Sequence, residues 1–112
     1  MNLERIQKLC LSFPGATENV QWENDLCFKV AGKIFAITGF SPESGISFKC
    51  DPETFAELTE GEGIIPAPYL ARYKWVSIQS PEAVSSFELE KLLRRSYELV
   101  VQKLSKKVRE KL

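Results

Sequence analysis

Three short runs rich in β-branched and aromatic residues fill the stretch LCFKVAGKIFAITGFSPESGISFKC, residues 26–50. They cover residues 26–30, 33–38 and 46–50. In the first run Leu26, Phe28 and Val30 alternate with other residues, which indicates a strand with one covered face. The connections at residues 31–32 and 41–45 are short and contain turn-forming residues. The stretch therefore predicts an antiparallel meander of strands.

Amphipathic helices are predicted on both sides of these strands. Apolar residues recur at helical spacing over residues 3–13, and Pro14-Gly15 ends that pattern. Near the other terminus, Ser85 and Glu88 form an S-x-x-E capping box. An apolar stripe then follows through Leu89, Leu93, Tyr97, Val100 and Leu104. A helix over residues 86–112 would be roughly 40 Å long, so we expect its end to overhang the domain.

The segment between the strands and the last helix predicts smaller elements. Asp51-Pro52 is typical of a helix N-cap followed by proline at the first helical position. Residues 64–71 contain two prolines and cannot form a central strand, so we expect a rigid extended loop. A last strand is predicted over residues 74–79, with Tyr69 and Trp75 half-buried.

The order of these elements predicts the fold class. It is that of an α+β domain, an antiparallel β-sheet meander with the N- and C-terminal helices packed on one face. The 112 residues suit one hydrophobic core, so we expect a single domain over residues 1–112.

Composition excludes several classes of function. The chain has no histidine, which removes Ser-His-Asp and Cys-His catalysis and the commonest transition-metal ligand. The three cysteines, Cys10, Cys27 and Cys50, are far apart, and free buried thiols are expected. Charged residues interrupt the apolar N-terminus, and no apolar stretch is long enough to span a membrane. We therefore expect a cytoplasmic protein with no membrane association.

No enzymatic, metal or cofactor site is predicted. The acidic residues in the middle of the chain follow no cation-binding spacing, and no phosphate-binding glycine loop is present. A carboxylate-based hydrolase or transferase would need an acid buried in a cleft, and no position in the sequence indicates one. We therefore expect a protein that is not an enzyme and holds no cofactor.

Charge is distributed unevenly although the net charge is zero. Residues 91–112 carry eight Lys or Arg and two Glu, whereas the first ninety residues carry an acidic excess. On one continuous helix, Lys91, Arg95, Lys106 and Arg109 would share a face and form a basic ridge. Such a ridge can bind phosphates, and it can equally be an ordinary solvated helix face.

A second group of cations lies on the predicted strands among aromatic residues. The group consists of Lys29, Lys33, Lys49, Arg72 and Lys74, near Tyr69, Tyr73 and Trp75. Interleaved cations and aromatic rings suit nucleic acid, because cations meet phosphates while rings stack on bases. Lysines at sheet edges also prevent edge-to-edge pairing, so both interpretations stay open.

Five sequence blocks together resemble the MmcQ/YjbR family of small bacterial proteins. They are Pro14-Gly15-Ala16-x-Glu18 with Trp22, Phe28-Lys29-Val30-x-Gly32-Lys33-Ile34-Phe35-Ala36, Lys49-Cys50-Asp51-Pro52, Pro66-Ala67-Pro68-Tyr69-Leu70 with Trp75-Val76, and Ser96-Tyr97-x-Leu99-Val100. The resemblance implies a fold similar to that of the bacterial frataxin CyaY. It also implies DNA binding through a double-wing arrangement of hairpins and neighbouring basic residues.

The leading hypothesis is a DNA-binding protein of low sequence specificity. The residues expected to contact DNA are Lys33, Lys49, Arg72, Lys74, Trp75, Arg95, Lys106 and Arg109. The alternative is a protein-interaction or small-ligand-binding module whose basic helix meets an acidic protein partner. A monomer or weak homodimer is expected in either case.

Overall fold

Six antiparallel strands form one open sheet in the computed structural model, which describes residues 2–22, 24–41 and 44–112. The strands are β1 (Ala16–Gln21), β2 (Asp25–Val30), β3 (Lys33–Thr38), β4 (Ile46–Lys49), β5 (Ile64–Pro66) and β6 (Trp75–Ile78). Their spatial order is β1-β2-β3-β4-β6-β5, so only the last two strands depart from a simple meander. The predicted α+β fold class is confirmed.

Four α-helices accompany the sheet in the described part of the chain. They are α1 (Leu3–Leu11), α2 (Pro52–Thr59), α3 (Ser86–Gln102) and α4 (Lys106–Arg109). Side chains of α1 and α3 enter the same core as one face of the sheet, so the two outer helices pack on one face as predicted. None of the described helices is long and apolar enough to cross a membrane.

Aromatic residues dominate the core between α3 and the sheet. Phe28, Phe35 and Phe48 are completely buried, and Tyr97 of α3 meets Phe35 edge to face at 5.5 Å between ring centroids. Each phenylalanine stabilises the fold by about 1.5–3 kcal/mol through removal of apolar surface from water. The predicted stripe on α3 is the packing face, because Leu89, Leu93 and Tyr97 are all buried there.

The pairing between β3 and β4 ends early, and a side chain of α3 takes over. The last paired residues are Ala36 and Phe48, whereas β4 stays paired with β6 through Lys49. Where β3 and β4 separate, the buried Ser96 hydroxyl donates to the Phe35 carbonyl at 2.6 Å. The hydroxyl oxygen of Ser96 also accepts a hydrogen bond from the Lys49 amide at 3.0 Å. One hydroxyl therefore satisfies a backbone group on each strand.

The predicted single helix over residues 86–112 is wrong. Helix α3 ends at Gln102, and Ser105 begins α4 as an N-cap that accepts a hydrogen bond from the Val108 amide. The chain then turns back, and Leu112 lies so close to Gly15 that a β-carbon there would clash with it at 2.5 Å. Because the helix is interrupted, its end does not overhang the domain as one rod.

Two strand predictions and one burial prediction also need correction. Residues 16–21 form β1 although no strand was predicted there, and residues 64–66 form a short edge strand within the predicted loop. At a sheet edge Pro66 is tolerated, because its missing amide leaves no central ladder incomplete. Tyr69 is 99% exposed and Trp75 is 7% exposed, so neither side chain is half-buried.

Candidate functional site

A groove opens at the end of the sheet where β3 and β4 separate. It has a volume of about 530 Å³ and lies between the sheet and the last turn of α3. Its lining residues are Lys33, Ile34, Lys49, Tyr73, Trp75, Val100, Lys103 and Leu104. We call it the cationic groove, because every charged residue in its lining is a lysine.

Each lysine reaches the cationic groove from a different element. Lys33 begins β3 directly after the two-residue turn at Ala31-Gly32, and Lys49 ends β4 opposite Trp75. Lys103 is the C-cap residue of α3, one position beyond the last helical residue. Separate strand ends and a helix end therefore bring these side chains together, although the lysines are distant in sequence.

The lysines of the cationic groove have no acidic partner in the described part of the chain. The ion pairs found there all involve Arg95, which binds Asp51 and lies 3.6 Å from Glu98. Partial burial, and then the adjacent Lys103 amine, lowers the pKa of Lys49 below the ordinary lysine value. The groove therefore concentrates positive charge that the protein itself does not neutralise, which favours an anionic ligand.

Arg95 forms an ion pair with Asp51, the acidic residue nearest to Lys49 in sequence. Its guanidinium donates to both oxygens of Asp51, at 2.8 and 2.9 Å, so this pair is bidentate. The hydrogen bond from Arg95 lowers the pKa of Asp51. Asp51 is the N-cap residue of α2, but its side chain makes no capping hydrogen bond because it is engaged with Arg95.

Aromatic and aliphatic side chains form the remaining walls of the groove. Trp75 is buried, whereas the ring of Tyr73 is 48% exposed. The Arg72 guanidinium lies over the Tyr73 ring at 4.8 Å and donates to its hydroxyl at 2.8 Å. Arg72 is therefore held beside the groove through Tyr73, with an aromatic face next to positive charge.

The eight residues expected to contact DNA fall into separate groups. Lys33, Lys49 and Trp75 line the cationic groove, and Arg72 stands beside it. Lys74 instead places its ammonium over the Phe55 ring of α2, at 5.1 Å. The structure thus brings together four of the five DNA contacts that were predicted outside the last helix.

The predicted basic ridge on the last helix is not continuous. Arg95 is engaged by Asp51, and the break after Gln102 separates it from Lys106 and Arg109 of α4. Since Leu104 lies in the groove and Leu112 meets Gly15, α4 runs along the end of the sheet that carries Lys33. Lys106 and Arg109 therefore belong to the same end of the molecule as the groove.

Tyr73 and Lys103 are the lining residues with a polar or charged side chain that were not among the predicted DNA contacts. The sequence indicates Tyr73 only as an aromatic neighbour of the strand cations, and Lys103 only as one of the cations near the C-terminus. One available signal was the spacing of Lys103 three residues after Val100, which places it beside the apolar stripe rather than opposite it.

Other candidate sites lack comparable chemistry. A depression of about 650 Å³ beside Ile37 and Ser47 has Asp25 as its one charged lining residue among those that the structure describes. No group of three or more His, Cys, Asp or Glu able to hold a metal occurs among residues 2–22, 24–41 and 44–112. The cysteines are free and buried as predicted, and burial raises the pKa of Cys10 to about 12 and that of Cys50 to about 11.

The fold and the groove define an α+β domain with a lysine-rich, aromatic-walled groove. The sequence profile of the YjbR family matches residues 11–99, and the chain belongs to that family. The predicted membership of the MmcQ/YjbR family is thereby confirmed.

Solved structures support the same fold. Deinococcus radiodurans protein DR2400, a DUF419 domain, is 28% identical, with 97% of this chain and 86% of that chain covered at a TM-score of 0.88. A Pseudomonas syringae protein is 19% identical, with 88% of this chain and 98% of that chain covered at a TM-score of 0.72. No functionally curated protein matches this chain.

Proposed function

We propose that this protein binds nucleic acid through the cationic groove, by contact with phosphates and with little dependence on base sequence. The observation that carries the proposal is the convergence of Lys33, Lys49 and Lys103 on one groove without an acidic partner in the described residues. Bound phosphates would neutralise these ammonium groups, and their binding would release counterions from the nucleic acid.

The surroundings of the groove favour nucleic acid over a simple inorganic anion. Tyr73 offers a half-exposed ring at the groove, and Arg72 adds a cation beside that ring. Aromatic side chains bind unpaired bases by stacking, which tolerates every base. Lys106 and Arg109 on α4 extend the positive charge along the same end of the molecule.

The test is fluorescence anisotropy with labelled duplex and single-stranded DNA at ~50 and ~200 mM salt. Three neutralised phosphates, one in the groove and two beside it at Arg72 and on α4, predict a slope of about −2.7 for log K against log salt with duplex DNA, or a loss of about 40-fold in affinity between those concentrations. The double variant Lys33→Gln/Lys103→Gln should lower the affinity and reduce the slope to about −1.8, because the groove then no longer neutralises a phosphate.

The matched control is Lys8→Gln/Lys91→Gln, which removes the same charge from exposed positions on the outer helices. It should bind as the unaltered protein does. Absence of binding at ~50 mM salt, or equal losses in both double variants, would contradict the proposal. A complex with an acidic protein partner that survives nuclease treatment would then favour a protein-interaction module.

A further inference from the structure

We propose that the cationic groove is a receptor for a phosphate monoester, the doubly charged phosphate at the end of a nucleic-acid strand or on a mononucleotide. This inference rests on the proposed function and deepens it, because it names which phosphate of the nucleic acid the groove takes. An internal phosphodiester would then be a weaker ligand of the same site.

The arrangement of the ammonium groups favours one phosphate group as the ligand. Lys33, Lys49 and Lys103 come from two strand ends and one helix end and line a single concave groove. A surface that follows an extended backbone needs cations in a row, because successive phosphates along a strand are separated in space. Convergence on one concavity instead suits a single group of high charge.

The charge and the hydrogen-bonding capacity of the groove lysines match those of a phosphate monoester. A phosphate monoester carries a charge of about −1.5 to −2 at pH 7 and offers three strong acceptor oxygens. An internal phosphodiester carries one negative charge and has two non-bridging oxygens. Three ammonium groups supply a charge of +3 and three N–H donors each, so a dianion relieves more of their mutual repulsion.

The surroundings of Lys49 disfavour its positive charge. This side chain is partly buried beside Lys103, and the nearest acid in sequence, Asp51, is engaged by Arg95. Burial and then the like-charged neighbour lower the pKa of Lys49, which means that the residues around Lys49 disfavour its charged form. A dianion placed between these amines would reverse that penalty, and a monoanion would reverse less of it.

The size of the groove and its apolar walls suit a phosphate that carries a sugar and a base. The volume of about 530 Å³ lies within the range of small-molecule sites, which is about 300–1,000 Å³. Ile34, Val100 and Leu104 supply aliphatic surface, and Tyr73 supplies an aromatic ring. We expect the terminal phosphate to lie among the lysines and the first sugar and base to contact these walls.

The experiment compares one single-stranded oligonucleotide in three forms, with a 5′-phosphate, with a 3′-phosphate and with hydroxyls at both ends. Each form is fluorescently labelled at an internal position, and anisotropy is measured at ~100 mM salt. At least one phosphorylated form should bind about tenfold tighter than the hydroxyl form, because a monoester with a charge of about −1.5 to −2 then occupies the groove in place of a singly charged internal phosphodiester. Titration calorimetry with a nucleoside monophosphate, its nucleoside and inorganic phosphate distinguishes a strand end from a free ligand.

Variants separate the groove from the rest of the surface. Lys49→Gln should abolish the preference for the phosphorylated strand, and Lys8→Gln should preserve it. Since Lys49 is partly buried, circular dichroism must show that the variant is folded, and the exposed Lys103→Gln provides a second test that does not disturb the sheet.

Each outcome bears on one of the two proposals. Equal binding of phosphorylated and hydroxyl strands overturns the monoester inference and leaves nucleic-acid binding in place. Binding of the nucleoside monophosphate without binding of any oligonucleotide supports the monoester and overturns the proposed function. If neither strands nor small phosphates bind, both proposals are wrong.

Discussion

The Ser96 hydroxyl makes hydrogen bonds with two strands where backbone groups of a sheet normally pair with each other. It connects the Phe35 carbonyl to the Lys49 amide at the point where β3 and β4 separate, and it is completely buried. A buried polar group without a partner costs about 1–3 kcal/mol, so a single side chain compensates for two such groups. Nothing in the local pattern around Ser96 predicts this, because the partner groups lie 61 and 47 residues away in sequence.

Replacement of Ser96 by alanine should therefore destabilise the protein strongly. We expect Ser96→Ala to lower the free energy of unfolding by about 2–3 kcal/mol, since it leaves two backbone groups unpaired. Denaturation in guanidinium chloride measures the change. Ser86→Ala, at the first residue of the same helix, should change the value by less than about 0.5 kcal/mol. Similar small effects in both variants would show that Ser96 does not bridge the strands.

The ion pair between Asp51 and Arg95 predicts a pH-dependent contribution to stability. The pKa of Asp51 is lowered in the folded protein, chiefly by the hydrogen bond from Arg95, so folding favours the charged carboxylate. Its contribution is complete above the ordinary aspartate pKa of about 3.9 and is lost as the pH falls through the lowered native value. Asp51→Asn should therefore destabilise the protein at pH 7, and this effect should shrink as the pH falls below the ordinary aspartate value and through the lowered native pKa.

The expected loss for Asp51→Asn at pH 7 is about 1 kcal/mol. The estimate is modest because the side chains of Asp51 and Arg95 remain 30% and 39% exposed, so solvent screens the pair. Urea denaturation between pH 2.5 and pH 8 gives the two stability curves. Glu98→Gln serves as the comparison, since Glu98 is 51% exposed and more distant from Arg95. Curves for Asp51→Asn and the unaltered protein that stay parallel at low pH would contradict this assignment.

At the scale of elements, the turn between β2 and β3 is strained at one position. Val30 pairs with Lys33 across a two-residue loop, and both Ala31 and Gly32 have positive φ angles, of 50° and 79°. Hairpin turns of this kind favour asparagine followed by glycine, because alanine is disfavoured in the left-handed region. The turn also fixes the start of β3, and thereby the position of Lys33.

Ala31→Asn should consequently stabilise the protein, by about 0.5–1 kcal/mol. Ala31→Val should destabilise it, because a β-branched side chain is least compatible with a positive φ angle. Thermal unfolding of both variants gives the sign and size of each change. Changes of the same sign in the two variants would mean that the backbone at Ala31 is not left-handed.

How much of each element could be predicted depends on whether its signal is local. The stripe from Leu89 to Leu104 and the alternation in β2 reflect burial directly, so α3 and the covered face of β2 were predicted. Strand β1 was missed because it lies at the sheet edge and its four central residues are exposed. The break before α4 was missed because a helical pattern of charges continues past Gln102, whereas the interruption depends on capping by Ser105.

At the scale of the whole molecule, the zero net charge conceals a strongly positive end. The groove lysines, with Lys106 and Arg109 on α4, occupy the end of the sheet that carries the β2–β3 turn. The sequence indicated Lys33, Lys49 and Trp75 because each stands at a strand end among aromatic residues. It could not indicate that Lys103 joins them, since that depends on how α3 lies across the sheet.

This distribution predicts retention on heparin despite the balanced charge. The unaltered protein should bind a heparin column at pH 7.5 and elute with increasing salt, because local charge rather than net charge determines contact with a polyanion. Lys33→Gln/Lys103→Gln should elute at clearly lower salt than Lys8→Gln/Lys91→Gln, although the two variants have the same net charge. Identical elution would show that the groove does not dominate the electrostatic surface.

The separation of β3 and β4 has a consequence for local opening of the structure. Several walls of the cationic groove belong to β3, β4 and α3, which the hydrogen bonds of Ser96 also connect. Any ligand that holds these walls in place adds its binding free energy to the closed form, by thermodynamic linkage. The Lys49 amide, which donates to Ser96, should then exchange its hydrogen with solvent more slowly as the groove fills. A single backbone amide would thus report both occupancy of the groove and the docking of α3 on the sheet.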